Sequence, residues 1–208
     1  MPPERQSARR RQGPTHQRRS VRLTGYDYSQ AGAYFLTICT HRRGCVVAEV
    51  VEAQIRLNAC GAIVEACWEQ IPRHFRHVEL DAFVVMPNHL HGVIVFLERS
   101  AAEPDVRLRA RHAVPLRGRG EVVGGQVERF GAPVRSSLAT IIRSFKAAVT
   151  RRINAARQTT GRPFWQRNYY EHIIRNEHDL EDIREYIEQN PGRWEEDENN
   201  PRNIPRGS

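Results

Sequence analysis

Two apolar runs, residues 78–86 and 89–98, are separated only by Pro87-Asn88. A turn-forming pair between two strand-like runs predicts an antiparallel hairpin, because so short a link cannot carry the chain back for parallel pairing. The remaining elements are placed around that hairpin. Residues 34–40 (Tyr-Phe-Leu-Thr-Ile-Cys-Thr) are β-branched and aromatic and predict a strand. Residues 53–71 carry Ile55, Ala59, Ala62, Ile63, Ala66, Cys67 and Ile71 at helical spacing and predict one helix with a single apolar face, with Gly61 inside it. Leu138, Ile141, Ile142, Phe145, Val149 and Ile153 form a helical stripe over 136–156. Residues 164–174 read as a strand or extended segment. A last helix starts near 178, capped by Asn176 with Asp179 three residues on, and stops at Pro191. The order through residue 174 is βαββαβ. It predicts an α+β fold, a ferredoxin-like antiparallel sheet with helices on one face, followed by a C-terminal helix.

The flanks differ in composition. Residues 1–22 hold seven Arg and one Glu with almost no large apolar side chain, and predict a disordered basic arm. Residues 99–135, with eight Arg and three Pro among scattered Gly, predict a long flexible insertion. Residues 195–208 read as a disordered tail, which leaves one domain over 23–194 for a 208-residue chain. No apolar run of ~18 residues is present, so no membrane partner is expected. The basic N-terminus has no apolar stretch behind it, and the four cysteines form no CxxC pair, so the expectation is a reduced, cytoplasmic protein.

Charge narrows the partners. Thirty-two basic residues face 24 acidic ones, and every basic residue except Lys146 is Arg. Residues 140–175 hold eight basic residues against one Glu, whereas 177–198 hold ten acids against two Arg. Such a field suits a polyanion, and the planar guanidinium suits phosphate; a merely solvated face of an Arg-rich chain is the alternative. Arg143, Lys146, Arg151, Arg152 and Arg167 are the candidate backbone contacts. Trp165, Tyr169 and Tyr170 either stack on unpaired bases or pack. The chain has no GxxxxGK[ST] loop, no GxGxxG turn and no nucleophile elbow, so nucleotide-dependent chemistry has no visible site.

Two constellations carry possible chemistry. His89-Leu90-His91 on a strand sends two imidazoles to one face, half of a metal site or else a hydrogen-bonded pair at a hairpin mouth. On the last helix Tyr186 has Asn190 one turn beyond it, beside a stripe of Leu180, Ile183 and Ile187.

Met86-Pro87-Asn88-His89-Leu90-His91-Gly92 resembles the HUH motif of single-strand nucleases, in which U is hydrophobic. The downstream Phe164-Trp165-Gln166-Arg167, Tyr170-Glu171-His172, Ile174-Arg175, Tyr186-Ile187 and Asn190-Pro191 are similar to the REP-associated tyrosine transposases. The similarity runs from about Tyr26 to Trp194. It implies an HUH transposase and single-strand DNA endonuclease, with Tyr186 as nucleophile, His89 and His91 as metal ligands, and Asn190 at a third ligand position where relatives often carry Gln. It further implies magnesium or manganese, although the donor set also suits zinc. The expected partner is single-stranded, hairpin-forming repeat DNA at the nucleoid, with the protein a monomer or homodimer. The expected reaction is cleavage and rejoining through a 5′-phosphotyrosine. A non-cleaving hairpin-DNA regulator and a metal-dependent hydrolase that activates water are the alternatives.

Overall fold

The computed structural model of the chain describes residue 27 and residues 30–98 and 137–204; the arm expected at 1–22 and the insertion expected at about 99–135 lie outside the described residues. Six strands and four helices follow in the order β1 (Gly32–Cys39), β2 (Ala48–Val51), β3 (Gln54–Leu57), α1 (Ala59–Glu69), α2 (Ile71–His74), β4 (Val78–Met86), β5 (His89–Phe96), α3 (Leu138–Arg157), β6 (Tyr170–Ile174) and α4 (Glu177–Gln189). A 3-10 segment, Asn190–Glu196, continues from α4.

Four strands form one sheet in the order β4-β5-β1-β6, with every neighbouring pair antiparallel. β1, α1, β4, β5, α3 and β6 reproduce the expected βαββαβ plan. The two central strands, β5 and β1, are buried on both faces, which is why they read as near-continuous apolar runs rather than as alternating ones. One face carries Tyr34, Leu36, Ile38, Leu90 and Ile94 into a core with Val64 and Trp68 of α1 and Ile141, Phe145 and Val149 of α3. The opposite face presents Ala33, Phe35, Val93 and Ile174 to Leu180 and Ile187 of α4. The sheet is thus covered twice, and the tyrosine-bearing helix lies on the face opposite α1 and α3. Among the described residues, no helix is long and apolar enough to cross a membrane.

The single helix expected over 53–71 is corrected by the structure. Val51 pairs with Gln54 across a two-residue turn at Glu52 and Ala53, both at positive φ, so Ile55 lies in a hairpin strand. The helix begins only at Ala59, where the Asn58 side chain accepts hydrogen bonds from the N–H groups of Cys60 and Gly61. The strand expected over 164–174 is regular only from Tyr170; upstream, Trp165 makes a lone bridge to Thr40. Asn176 does cap α4, accepting from the Asp179 N–H at 2.8 Å. Pro191 does not stop the chain cleanly, because it sits early in the following 3-10 segment where a missing N–H costs no helical bond.

The tail expected over 195–208 is packed through its first part. Asp197, Asn199 and Asn200 are buried, and Asn200 Nδ2 donates to the Trp194 carbonyl at 2.9 Å. Asn199 is held from three sides: its Oδ1 accepts from Arg43 Nη1 at 2.8 Å and from Cys39 Sγ at 3.6 Å, and its backbone oxygen accepts from Asn88 Nδ2 at 2.7 Å. Short Asn and Asp side chains replace the missing apolar ones by capturing local backbone groups.

Candidate active site

The hairpin turn and β5 hold both histidine rings through their Nδ1 atoms. Asn88 donates its amide N–H groups to the carbonyls of Arg43 and Asn199, which leaves Oδ1 as an acceptor 2.8 Å from His89 Nδ1. His89 therefore carries its proton on Nδ1 and presents a bare lone pair at Nε2. His91 Nδ1 lies 2.9 Å from Thr37 Oγ1, the residue opposite it on β1. The two Nε2 atoms stand 2.9 Å apart, so His91 Nε2 donates to His89 Nε2 while His91 Nδ1 accepts from the Thr37 hydroxyl; the other His91 tautomer, with Nδ1 donating to Thr37, bares the second Nε2. Phe35 stacks on the His91 ring at 5.4 Å and Trp194 lies 6.1 Å from His89, so the pair has an aromatic wall on two sides.

Both imidazoles are neutral at physiological pH. Burial, followed by the nearby Arg43 guanidinium, pulls His89 down to about 3. Burial also drives His91 well below its usual value, with His89 acting in the same direction and Asp197 and the Leu36 backbone against it. Neutral imidazoles held with their Nε2 atoms together suit a metal ion, which takes the place of the proton between them.

A carboxylate meets them. Asp197 completes a buried group with His89 and His91 whose ligand atoms all lie within 4.8 Å of one another, and its Oδ2 is 3.7 Å from His89 Nε2. That Oδ2 and the Oδ1 of Asn190 are buried without a hydrogen-bond partner. A buried polar atom left unpaired costs about 1–3 kcal/mol. The Asp197 carboxylate beside the two imidazole nitrogens forms a donor set that fits a divalent cation, and Asn190 Oδ1 is a further buried oxygen left unpaired. Asp197 escapes a reading of the sequence because it is one acid in a run of ten, 106 positions from His91 in the chain. No spacing rule singles it out.

Tyr186 reaches the same place from α4. Its hydroxyl lies 3.3 Å from His91 Nε2 and its ring stands 5.1 Å from the His91 ring and 5.9 Å from Phe35. Burial raises the phenol's pKa, with Asp197 and Glu198 acting the same way and the Asn190 side chain opposing them. The phenol therefore stays protonated at neutral pH. Arg184, two residues earlier, pins α4 to β4 through a bidentate pair with Asp81 at 2.8 and 2.7 Å.

The residues expected to touch nucleic acid divide into three groups. Arg143, Lys146, Arg151, Trp165 and Arg167 line a cleft of about 570 Å³ between α3 and residues 163–169, on the other side of the sheet from α4. Within it Lys146 is structural: Nζ donates to the carbonyls of Gln166 and Asn168 at 3.0 and 2.9 Å and lies 5.3 Å from the Tyr169 ring centre. Trp165 packs on Phe164 and Phe145 and is buried. Arg152 lies outside that lining and donates to Gln70 Oε1. Tyr170 lies on the α4 face, against Phe35 rather than in the cleft.

Comparison with known proteins adds to this geometry. Residues 130–190 match the family model described as "Transposase IS200 like". An uncharacterised protein of Haemophilus influenzae is 40% identical over 184 residues, covering 88% of this chain and 93% of that one. Among solved structures, a REP-associated tyrosine transposase bound to a REP hairpin is 18% identical with a TM-score of 0.49, covering 83% of this chain and 73% of that chain. A Deinococcus radiodurans protein described as a transposase is 19% identical with a TM-score of 0.40, covering 80% of this chain and 95% of that chain. The chain is thus related over most of its length to the Haemophilus influenzae protein, and its residues 130–190, which include the helix-borne tyrosine, are similar to the IS200-like transposases.

Proposed function

We propose that the protein is an HUH-type single-strand DNA endonuclease and transposase that cuts and rejoins hairpin-forming repeat DNA through Tyr186. The observation that carries the reading is the Tyr186 hydroxyl 3.3 Å from His91 Nε2, at the mouth of the buried donor group. His89 Nε2, His91 Nε2, Asp197 and Asn190 Oδ1 are the residues that would hold a magnesium or manganese ion. That ion, when bound, supplies Lewis-acid polarisation of the scissile phosphate and neutralises charge on its oxygens.

The chain's own residues do the rest. Asn88 and Thr37 hold the imidazoles in register through their Nδ1 atoms. The rigid face of α4 presents the phenol, and the Arg184–Asp81 pair keeps α4 over the sheet. The Tyr186 oxygen attacks phosphorus and the bond to the 3′ oxygen breaks, leaving a 5′-phosphotyrosine and a 3′-hydroxyl. The phenol loses one proton and the departing oxygen gains one, so the step is balanced. One phosphodiester replaces another, which is why no nucleotide-binding loop is required. The cleft with Arg143, Arg151 and Arg167 supplies exposed cations for the DNA backbone, and the reaction belongs in the cytoplasm at the nucleoid.

Tyr186→Phe tests the reading. It removes one oxygen and little packing, so hairpin binding survives while the denaturation-resistant protein–DNA adduct disappears in the presence of manganese. Tyr169→Phe and Tyr170→Phe still form it. Cleavage without an adduct would favour water activation, and an adduct mapping to residues 164–175 would reject Tyr186.

A further inference from the structure

Among the described residues, two large hydrophobic side chains stay exposed, Tyr170 at 48% and Tyr186 at 39%. They lie on the same face of the sheet and bracket one residue. Phe35, itself buried, makes edge-to-face contacts with both, at 6.4 Å to Tyr170 and 5.9 Å to Tyr186. The register explains the placement. His91, Thr37 and Tyr170 are direct partners across β5, β1 and β6, so their side chains stand in one row on one face. Two strand spacings put the Tyr170 backbone about 10 Å from that of His91. β6 is the edge of the sheet, so nothing in the sheet lies beyond Tyr170.

A single exposed Tyr is ordinary on a protein surface. This one differs because its ring and that of the other exposed large aromatic among the described residues, the proposed nucleophile, pack on the same Phe35. Tyr, with two side-chain torsions, offers a rigid π face at small entropic cost. Single strands are gripped by such faces because every base has one.

We infer that Tyr170 is the stacking platform for the unpaired base adjacent to the scissile phosphate, so that the row His91–Thr37–Tyr170 measures one nucleotide step from the chemistry to its flanking base. The inference rests on the proposed cleavage by Tyr186 and adds to it a positioning residue. The basic cleft on the opposite face of the sheet holds backbone; the platform sets which nucleotide presents its phosphate to Tyr186.

The experiment uses the full chain with manganese and a 3′-labelled single strand copied from a hairpin-forming repeat beside the gene, because the phosphotyrosine keeps the fragment downstream of the cut. An abasic residue is moved one nucleotide at a time across the cleaved position. Base–aromatic stacking corresponds to roughly a 5- to 150-fold effect. Tyr170→Ala is expected to lower the rate of adduct formation within that range, with thermal stability and hairpin affinity near wild type. Tyr170→Phe, which keeps the π face, recovers the loss. In the wild type, the abasic residue at one flanking position lowers the rate by the same factor, and in Tyr170→Ala it lowers it no further. That non-additivity is a readout a merely structural role would not produce. An unchanged rate in Tyr170→Ala, or an abasic penalty equal in both proteins, overturns the platform while leaving the nucleophile standing. An adduct that persists in Tyr186→Phe overturns the cleavage reading and the platform with it.

Discussion

Gly92 lies between His91 and Val93 on β5, and a methyl group there has no room. An added Cβ would stand 2.5 Å from Trp68 Cζ2, 3.0 Å from Cε2 and 3.2 Å from Phe83 Cβ, where carbon atoms in contact want about 3.5–4.0 Å. Trp68 cannot step aside, since it is fully buried and wedged against Phe145 at 5.3 Å and Phe83 at 6.3 Å. Gly92→Ala gains about 0.5–1 kcal/mol from strand propensity and loses about 1–3 kcal/mol to overpacking, a net cost of about 1–2 kcal/mol. For a domain of this size the melting temperature falls by roughly 2–8 °C. Because the displaced strand carries both histidines, the protein's affinity for manganese falls with it. Trp68→Phe in the same chain removes the clashing ring atoms together with an indole N–H that is buried without a partner. The two substitutions should therefore couple favourably, by at least ~0.5 kcal/mol. Calorimetric melting of the wild type, both single variants and the double variant gives the coupling directly. A Gly92→Ala protein that melts with the wild type, or strict additivity, would refute the close packing of Gly92 on Trp68.

Three further outcomes are expected. Manganese should raise the melting temperature of the wild type but not that of Asp197→Ala, whose metal-free form should stay folded, and an undiminished upshift would remove Asp197 from the ligand set. Metal-free protein should lose stability in acid: an unfolded His titrates near 6.5 and folded His89 near 3, so below pH 6.5 only the unfolded chain takes up that proton. The contribution is full above that pH and falls by about 1.4 kcal/mol per unit below it, roughly 2 kcal/mol at pH 5, and urea unfolding in EDTA that is equally stable at pH 7 and pH 5 would contradict a buried neutral His89. Binding of a single strand should weaken with salt with a log–log slope of about −2 from the three exposed arginines of the cleft, and Arg143→Ala or Arg151→Ala should each flatten it by about 0.7.

Much of the site is legible in the sequence because it depends on local spacing. Alternation along a strand puts His89 and His91 on one face whatever surrounds them, and one helical turn separates Tyr186 from Asn190. The helix error at 53–58 has a local cause as well. Ile55, Ala59 and Ala62 keep helical spacing across a boundary that a single Asn58 side chain sets, and spacing carries no record of a cap. The aromatic and basic residues of 140–170 are visible as a group, yet their division is not. Lys146 and Trp165 are consumed in holding residues 163–169 against α3, while Arg143 and Arg167 remain exposed.

The order of elements, the histidine pair, the tyrosine helix and the sign of the field are all properties of neighbours in the chain, and each can be read without knowing what packs against what. The placement of α4 is of another kind. It covers the face of the sheet opposite α1 and α3, and that choice of side brings Tyr186 to within 3.3 Å of His91. Tertiary packing likewise draws Asp197 out of an acidic run into the donor group, and sets Tyr170 in line with His91. Those placements depend on which side of the sheet a helix buries its stripe and on register between strands far apart in sequence. Cross-strand pairing and the burial of an apolar face set them, and neither is encoded within a window of neighbouring residues.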